Sequence, residues 1–311
     1  MPHVPFGVHA VPDDAPVTTE PLGTKPKFWF SREGEMWLFK AGRPGQGEHW
    51  AEVVSAGLAD LLGLPHAHYE LAHWRDRNGV VNRGVVTRGF IAEGFDLVHG
   101  DELLHERDPN YPQEPEGQRR YVRTKQHTID AVWEALSDPN IGLPLGWAAP
   151  GGVRGVDVLG GYLLLDAWIG NTDRHHQNWA VVVNLAQGQY SLAPTFDHAS
   201  SLGAHETDQE RLRRLESRDP AYRVEGYVQR ADARSALFRQ AGDARPLPLI
   251  DAFRVWCERG NCRPWIERLA TVRDEQADDL FERVPEEEMS GPAKAFARAI
   301  LSVNRGRILR G

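Results

Sequence analysis

Two acids and an amide recur close together in this chain: Asp173, Asn178 and Asp197. Carboxylate and amide oxygens are hard donors, the kind that Mg²⁺ prefers. A second carboxylate can orient a hydroxyl and accept its proton, so such a set suits phosphoryl transfer. Asp173 and Asn178 lie in a polar run, Gly170 to Asn178, directly after the very apolar stretch Val156 to Ile169. Trp179 to Asn184 and Gln189 to Ala193 then read as two strands around a Gln187-Gly188 turn, with Pro194-Thr195-Phe196-Asp197-His198 beyond. A hairpin returns its end to its beginning. The expectation is that Asp173, Asn178 and Asp197 converge.

The spacing of five from Asp173 to Asn178 is that of a kinase catalytic loop, where the Asp is base and the Asn holds metal. Kinases also pair a strand lysine with a helix glutamate to position ATP. Lys40 ends the apolar strand Glu35 to Lys40, which pairs with Lys27 to Phe30 across a turn at Ser31 to Gly34. Glu52 lies on the helix that follows. That helix is read from Trp50, Val53, Val54, Gly57, Leu58, Leu61 and Leu62, at spacings of mostly three and four, and Gly63 and Pro65 close it. A further strand pair is expected over His68 to Trp74 and Gly84 to Phe90. Beyond about Leu97 the pattern is mostly helical, with a helix at Tyr121 to Ser137. Glu106 to Gly117 carries four acids and three prolines, which predicts a mobile insertion with little to bury.

The run Asn171-Thr172-Asp173-Arg174-His175-His176-Gln177-Asn178 resembles the N-x-D-x-H-x-x-N catalytic loop of the HipA-like bacterial serine/threonine kinases. Tyr190-Ser191-Leu192-Ala193-Pro194-Thr195-Phe196-Asp197 resembles their hairpin-exit motif, which ends in a metal-binding aspartate. The likeness is strongest from Trp168 to Leu202, fair from Gly23 to Leu64, and extends to Val284 to Phe296, which is similar to the family's closing helical segment. It implies an α+β, two-lobed protein-kinase-like fold of the short form, without the extra N-terminal subdomain of longer members. A flexible lead-in (residues 1–14) would precede a small β-rich N-lobe covering ATP (15–92) and a large, mostly helical catalytic C-lobe (93–311).

The resemblance also implies roles. Asp173 would be the catalytic base, and Asn178 and Asp197 would hold Mg²⁺. Lys40 would bind ATP phosphates, steadied by Glu52. Gly23 would belong to the phosphate-covering loop Gly23-Thr24-Lys25-Pro26-Lys27, and His175 would pack beside the nucleotide site and order the catalytic loop. His176 reads as an incidental loop residue. Family members can autophosphorylate a serine in the covering loop, but none stands between Glu20 and Phe30 here. The implied partners are a protein substrate carrying a Ser/Thr hydroxyl and a DNA-binding antitoxin of a toxin–antitoxin system. Two rival readings stay open: a nucleotide-binding pseudokinase, and a small-molecule kinase, which usually places His-x-Asp before the Asn.

Composition narrows the classes. The chain has 311 residues, 41% hydrophobic and 26% charged, an ordinary globular balance. Its net charge of -8 argues against direct nucleic-acid binding. No apolar run is long enough for a membrane span, and no signal peptide is evident, which suggests a cytoplasmic protein. Cys257 and Cys262 give neither a disulfide framework nor a zinc set, and are expected to be thiols in a reducing compartment. His175 and His176 with Asp173 and Asp197 could suit a transition-metal hydrolase, but adjacent histidines rarely face one metal. The ten tryptophans read as core, and Arg211 to Arg214 as a solvated helix face or a docking patch.

Overall fold

Alternating burial along Lys27–Arg32 and Glu35–Ala41 packs Phe28, Phe30 and Phe39 to one side of a hairpin. Glu33 and Gly34 both take positive φ at its turn, as a two-residue hairpin loop requires. This computed structural model describes residues 3–15, 18–19, 25–89, 91, 93–113, 124–232, 235–243 and 245–310. Gly23 and Thr24 of the expected phosphate-covering loop, the last four residues of the expected insertion, and the start of the expected Tyr121 helix lie outside them.

The N-lobe holds β1 (Val8–Val11), β2 (Thr18–Thr19), β3 (Lys27–Arg32), β4 (Glu35–Ala41), α1 (Glu48–Leu61), β5 (Glu70–Arg75) and β6 (Val81–Arg88). Its six strands form one sheet in the order β1-β5-β6-β4-β3-β2. The expected lead-in is therefore partly structured: β1 pairs in parallel with β5. The N-terminal segment also bonds to the distant C-lobe, where Phe6 N–H donates to the Arg283 carbonyl.

The second lobe begins with β7 (Phe95–His99), a strand at the point where a mostly helical pattern was expected to begin, and continues with α2 (Gly100–Arg107), α3 (Ile129–Leu136), β8 (Ile141–Gly142), α4 (Gly155–Ile169), β9 (Ala180–Asn184) and β10 (Gln189–Leu192). A helical layer completes it: α5 (Asp208–Glu216), α6 (Val224–Asp232), α7 (Leu249–Cys257), α8 (Arg263–Thr271), α9 (Asp274–Glu282) and α10 (Gly291–Leu309). The expected hairpin is β9–β10, inside a four-stranded sheet of order β7-β9-β10-β8. The tryptophans serve largely as core: Trp50, Trp168, Trp179, Trp256 and Trp265 are all buried.

Helix α4 is buried along its whole length, as expected of a helix apolar on every side. It runs through the lobe like an axle, and its neighbours come close. A Cβ on Gly161 would lie 2.5 Å from Leu64 Cδ2 and 2.8 Å from the Trp265 ring. Alanine favours helices over glycine by about 1 kcal/mol, but overpacking a core costs about 1–3 kcal/mol. Gly161→Ala is therefore expected to lower the melting temperature, a sign opposite to helix propensity and readable by calorimetry. At its far end Gly170 takes φ 67° and closes the helix. That stop releases the chain into the polar run that follows.

Cys257 and Cys262 are joined in a disulfide across the α7–α8 turn, which corrects the expectation of two thiols. The turn brings their Cα atoms to 5.4 Å, within ordinary disulfide reach. Among the described residues, no helix is long and apolar enough to cross a membrane.

Candidate active site

Lys40 stands near the end of β4, and its Nζ donates to Glu52 Oε1 at 3.0 Å. The same Nζ lies 3.1 Å from Asp197 Oδ1. Glu52 is 1% exposed, and its other oxygen accepts the His198 backbone N–H at 2.7 Å. One carboxylate on α1 thus fixes both the strand lysine and the segment carrying Asp197. Burial opposes the charge on Lys40, but Asp197 and Glu52 outweigh it and hold its pKa well above the usual value.

Asp197 takes φ 60°, a left-handed backbone that non-glycine residues adopt at a cost. Its N–H donates to the Tyr69 hydroxyl at 3.2 Å. Its neighbour Thr195 is bonded on both sides of the backbone, N–H to the Pro65 carbonyl and carbonyl to the Ala67 N–H. Burial would raise the Asp197 pKa, yet Lys40 and Lys27 overcome it and hold the carboxylate far below its ordinary range. Lys27 sits directly across the hairpin from Lys40. Like charges placed opposite each other in a sheet repel, and the Asp197 carboxylate offsets both.

The run after α4 is built around a buried ion pair. Arg174 donates to Asp166 through Nε at 2.7 Å and Nη2 at 2.8 Å, with the two residues 3% and 0% exposed. The same guanidinium reaches the carbonyls of Asn178 and Phe196 and, at 3.0 Å, Thr195 Oγ1. It therefore fastens the Asp173–Asn178 run to the Asp197 segment from below. Asn171 adds an Nδ2 bond to Asp166 at 2.8 Å and accepts the Asp173 N–H at 3.2 Å. Asn178 Nδ2 donates to the Asp173 carbonyl at 2.6 Å, which leaves its Oδ1 as the group able to meet a cation.

Asp173 is open to solvent but ringed by protein. Burial and the nearby charge of Asp197 raise its pKa to about 6, against the pull of Arg43, Lys25 and Arg174. Arg43 and Lys25 are tied by the almost fully buried Glu48, which accepts from Lys25 Nζ at 2.6 Å and from the Arg43 N–H at 2.9 Å. Lys25, Lys27, Lys40 and Arg43 thus gather around the two aspartates, with Glu48 and Glu52 offsetting part of their charge.

One of the two adjacent histidines departs from expectation. His175 accepts the Gln177 N–H at 3.2 Å, which orders the loop, and burial holds its pKa down at about 4. His176 is no incidental residue: it is 1% exposed, bonded through Nδ1 to the Tyr111 hydroxyl at 2.8 Å, and its ring packs near His127. Tyr111 is itself buried, so the Glu106 to Gly117 segment does contribute to the core. Arg211 is also buried and donates to the Gly203 and Ala204 carbonyls, and Arg214 pairs with Glu206. These two arginines hold structure and are not a solvated face.

The donors fit Mg²⁺. The Asp197 carboxylate and the Asn178 amide oxygen are too few for an all-protein cage, and Mg²⁺ typically takes its remaining ligands from water and phosphate. Among the described residues, no group of three or more His, Cys, Asp and Glu side chains is placed to hold a metal.

No protein-family model matches the chain, and no curated protein matches it. Solved structures do. The Helicobacter pylori proinflammatory kinase CtkA superposes with a TM-score of 0.64 at 16% identity, covering 91% of this chain and 91% of that one. HipA of the Shewanella oneidensis MR-1 toxin–antitoxin system, solved with HipB and its operator DNA, gives 0.54 at 12% identity, covering 97% of this chain and 68% of that one. The chain thus has the α+β, two-lobed kinase-like fold of CtkA and HipA, with a small sheet-based N-lobe and a largely helical C-lobe.

Proposed function

We propose that this protein is an ATP- and Mg²⁺-dependent kinase that transfers the γ-phosphoryl group to a Ser/Thr hydroxyl of a protein. The observation that carries the reading is Lys40 Nζ held between Glu52 and Asp197 at 3.0 and 3.1 Å, with a solvent-facing Asp173 close enough to Asp197 to feel its charge. Kinases hold ATP with such a lysine–glutamate pair and a metal-binding aspartate.

Each residue then has a task. Lys40 binds phosphate oxygens, and Glu52 keeps its ammonium in place. Lys27, Lys25 and Arg43 balance further phosphate charge. Asn178 and Asp197 are the residues that would hold Mg²⁺, which supplies charge neutralisation of the phosphates when bound. Asp173 orients the acceptor hydroxyl and takes its proton as the oxygen attacks phosphorus in line and the bond to the ADP oxygen breaks. His175 orders the loop from beneath. Gly23 would cover the phosphates from the N-lobe.

Calorimetry with ATP and Mg²⁺ tests the reading. Wild type is expected to bind only when metal is present, and Asp197→Asn to weaken that binding by at least about tenfold, on the scale of losses seen when metal sites are disturbed. Binding indifferent to metal and to Asp197 would rule the site out. The Shewanella HipA is solved with HipB and operator DNA. We propose a DNA-binding antitoxin as partner of this chain as well. Growth arrest on expression, abolished by Asp173→Ala, is the expected sign, and harmless expression of active enzyme would contradict it.

A further inference from the structure

The segment between α9 and α10 carries a buried acid that the proposed chemistry does not use. Glu288 is 5% exposed, and its side chain 1%. Its Oε1 meets His73 Nε2 at 2.7 Å in a hydrogen bond, while its Oε2 lies 3.2 Å from His49 Nε2 as an ion-pair contact outside hydrogen-bond geometry. Arg83 donates to the carbonyl of the preceding Glu287. His49 belongs to α1, His73 to β5 and Arg83 to β6, so three elements of the N-lobe converge on one short C-lobe segment.

That segment is firmly held on its own side. Glu288 and Met289 N–H groups both donate to the Pro285 carbonyl, Met289 is 1% exposed, and Lys294 Nζ binds the Val284 carbonyl at 2.8 Å. Ser290 caps α10 through the Ala293 N–H. The acid is therefore mounted on a fixed base, while its partners sit on the lobe that covers the nucleotide. Burial pushes the Glu288 pKa up, but His49, His73 and Arg83 outweigh burial and hold it below its ordinary value.

His49 is three residues before Glu52, so the two neighbour each other on successive turns of α1. We propose that Glu288 is a positioning residue: by gripping His49 and His73 it fixes α1 on the C-lobe and so sets Glu52 against Lys40. The proposal rests on the kinase reading for its consequence at ATP, but not for its mechanical part. An exposed ion pair would contribute little to this. A carboxylate removed from water is different, because a hydrogen bond to a buried charged group is lost at substantial cost when either partner goes.

Glu288→Gln keeps the shape and removes the charge. Hydrogen exchange of the ligand-free protein is the first readout. The α1 amides of the variant are expected to exchange about tenfold faster while the α4 amides keep their rate, a factor that corresponds to one lost charged hydrogen bond. In steady-state assays KM for ATP is expected to rise about tenfold with kcat nearly unchanged. His73→Gln, at a half-buried site, gives the milder version should Glu288→Gln fold poorly. Glu288→Gln and His49→Gln together are expected to cost less than the sum of the two alone. Faster exchange spread evenly over α1 and α4 would overturn the proposal, as would wild-type exchange at α1. If wild type binds no ATP, the kinase reading falls, and α1 exchange still decides whether Glu288 anchors the helix.

Discussion

Asp173→Asn is expected to slow phosphoryl transfer by about 10²–10⁴-fold, the range attributed to a positioned general base. The replacement is nearly isosteric, so the backbone contacts of the loop, Asp173 N–H to Asn171 and Asp173 carbonyl to Asn178, have no reason to change. ATP affinity should hold within about twofold, because Lys40 and Asp197 remain and those are the residues expected to bind nucleotide and metal. Removing a negative charge beside Asp197 even reduces repulsion at the metal site. The wild-type pH profile carries the same signature. The folded Asp173 pKa is raised to about 6 by burial and by Asp197. Below that pH the carboxyl is protonated and cannot accept, so kcat/KM should fall tenfold for each unit of pH below about 6 and level off above it. Single-turnover rates with isothermal binding on the same samples separate the two effects. Full transfer by Asp173→Asn would remove the base assignment.

The candidate site was legible in the sequence wherever its residues coincide with local order. Asp173, Asn178 and Asp197 stand beside a helix and a hairpin, both read from nearby residues, and Lys40 and Glu52 lie on a strand and the helix next to it. Lys27 could also have been found. Glu33 and Gly34 form the turn, and counting outward from it puts Lys27 opposite Lys40. What local pattern does not show is pairing across long separations. β1 is four residues among prolines, and its partner β5 is some sixty residues on. β7 looks like the start of a helical region because its strand character depends on β9. The place of His176 depends on Tyr111, and that of Glu288 on His49 and His73, contacts made only when the chain is folded. The disulfide belongs to the same class: spacing alone does not say that the α7–α8 turn brings the two sulfurs together.

Arg174 offers the second large effect, and it separates stability from positioning. Its guanidinium makes a two-point bond to Asp166 where both residues are almost closed to solvent, and it also holds the carbonyls of Asn178 and Phe196 and the Thr195 hydroxyl. Arg174→Leu strands the Asp166 charge, with Asn171 Nδ2 as its remaining neutral partner. Breaking a buried pair by removing one member costs about 3–5 kcal/mol, out of roughly 5–15 kcal/mol for a typical domain. The single variant should therefore show a large drop in its urea midpoint. Asp166→Leu with Arg174→Leu removes both charges, and apolar replacement of a buried pair is often neutral or better. The double variant is thus expected to regain much of the lost stability. It should not regain activity, because the guanidinium no longer ties the Asn178 carbonyl to Phe196 and Thr195, and the two halves of the proposed metal site lose that strut. Denaturation midpoints and ATP turnover for the single and double variants resolve this. Recovery of stability with turnover still down by about tenfold or more assigns Arg174 to positioning. Recovery of both together would make the ion pair a structural element only.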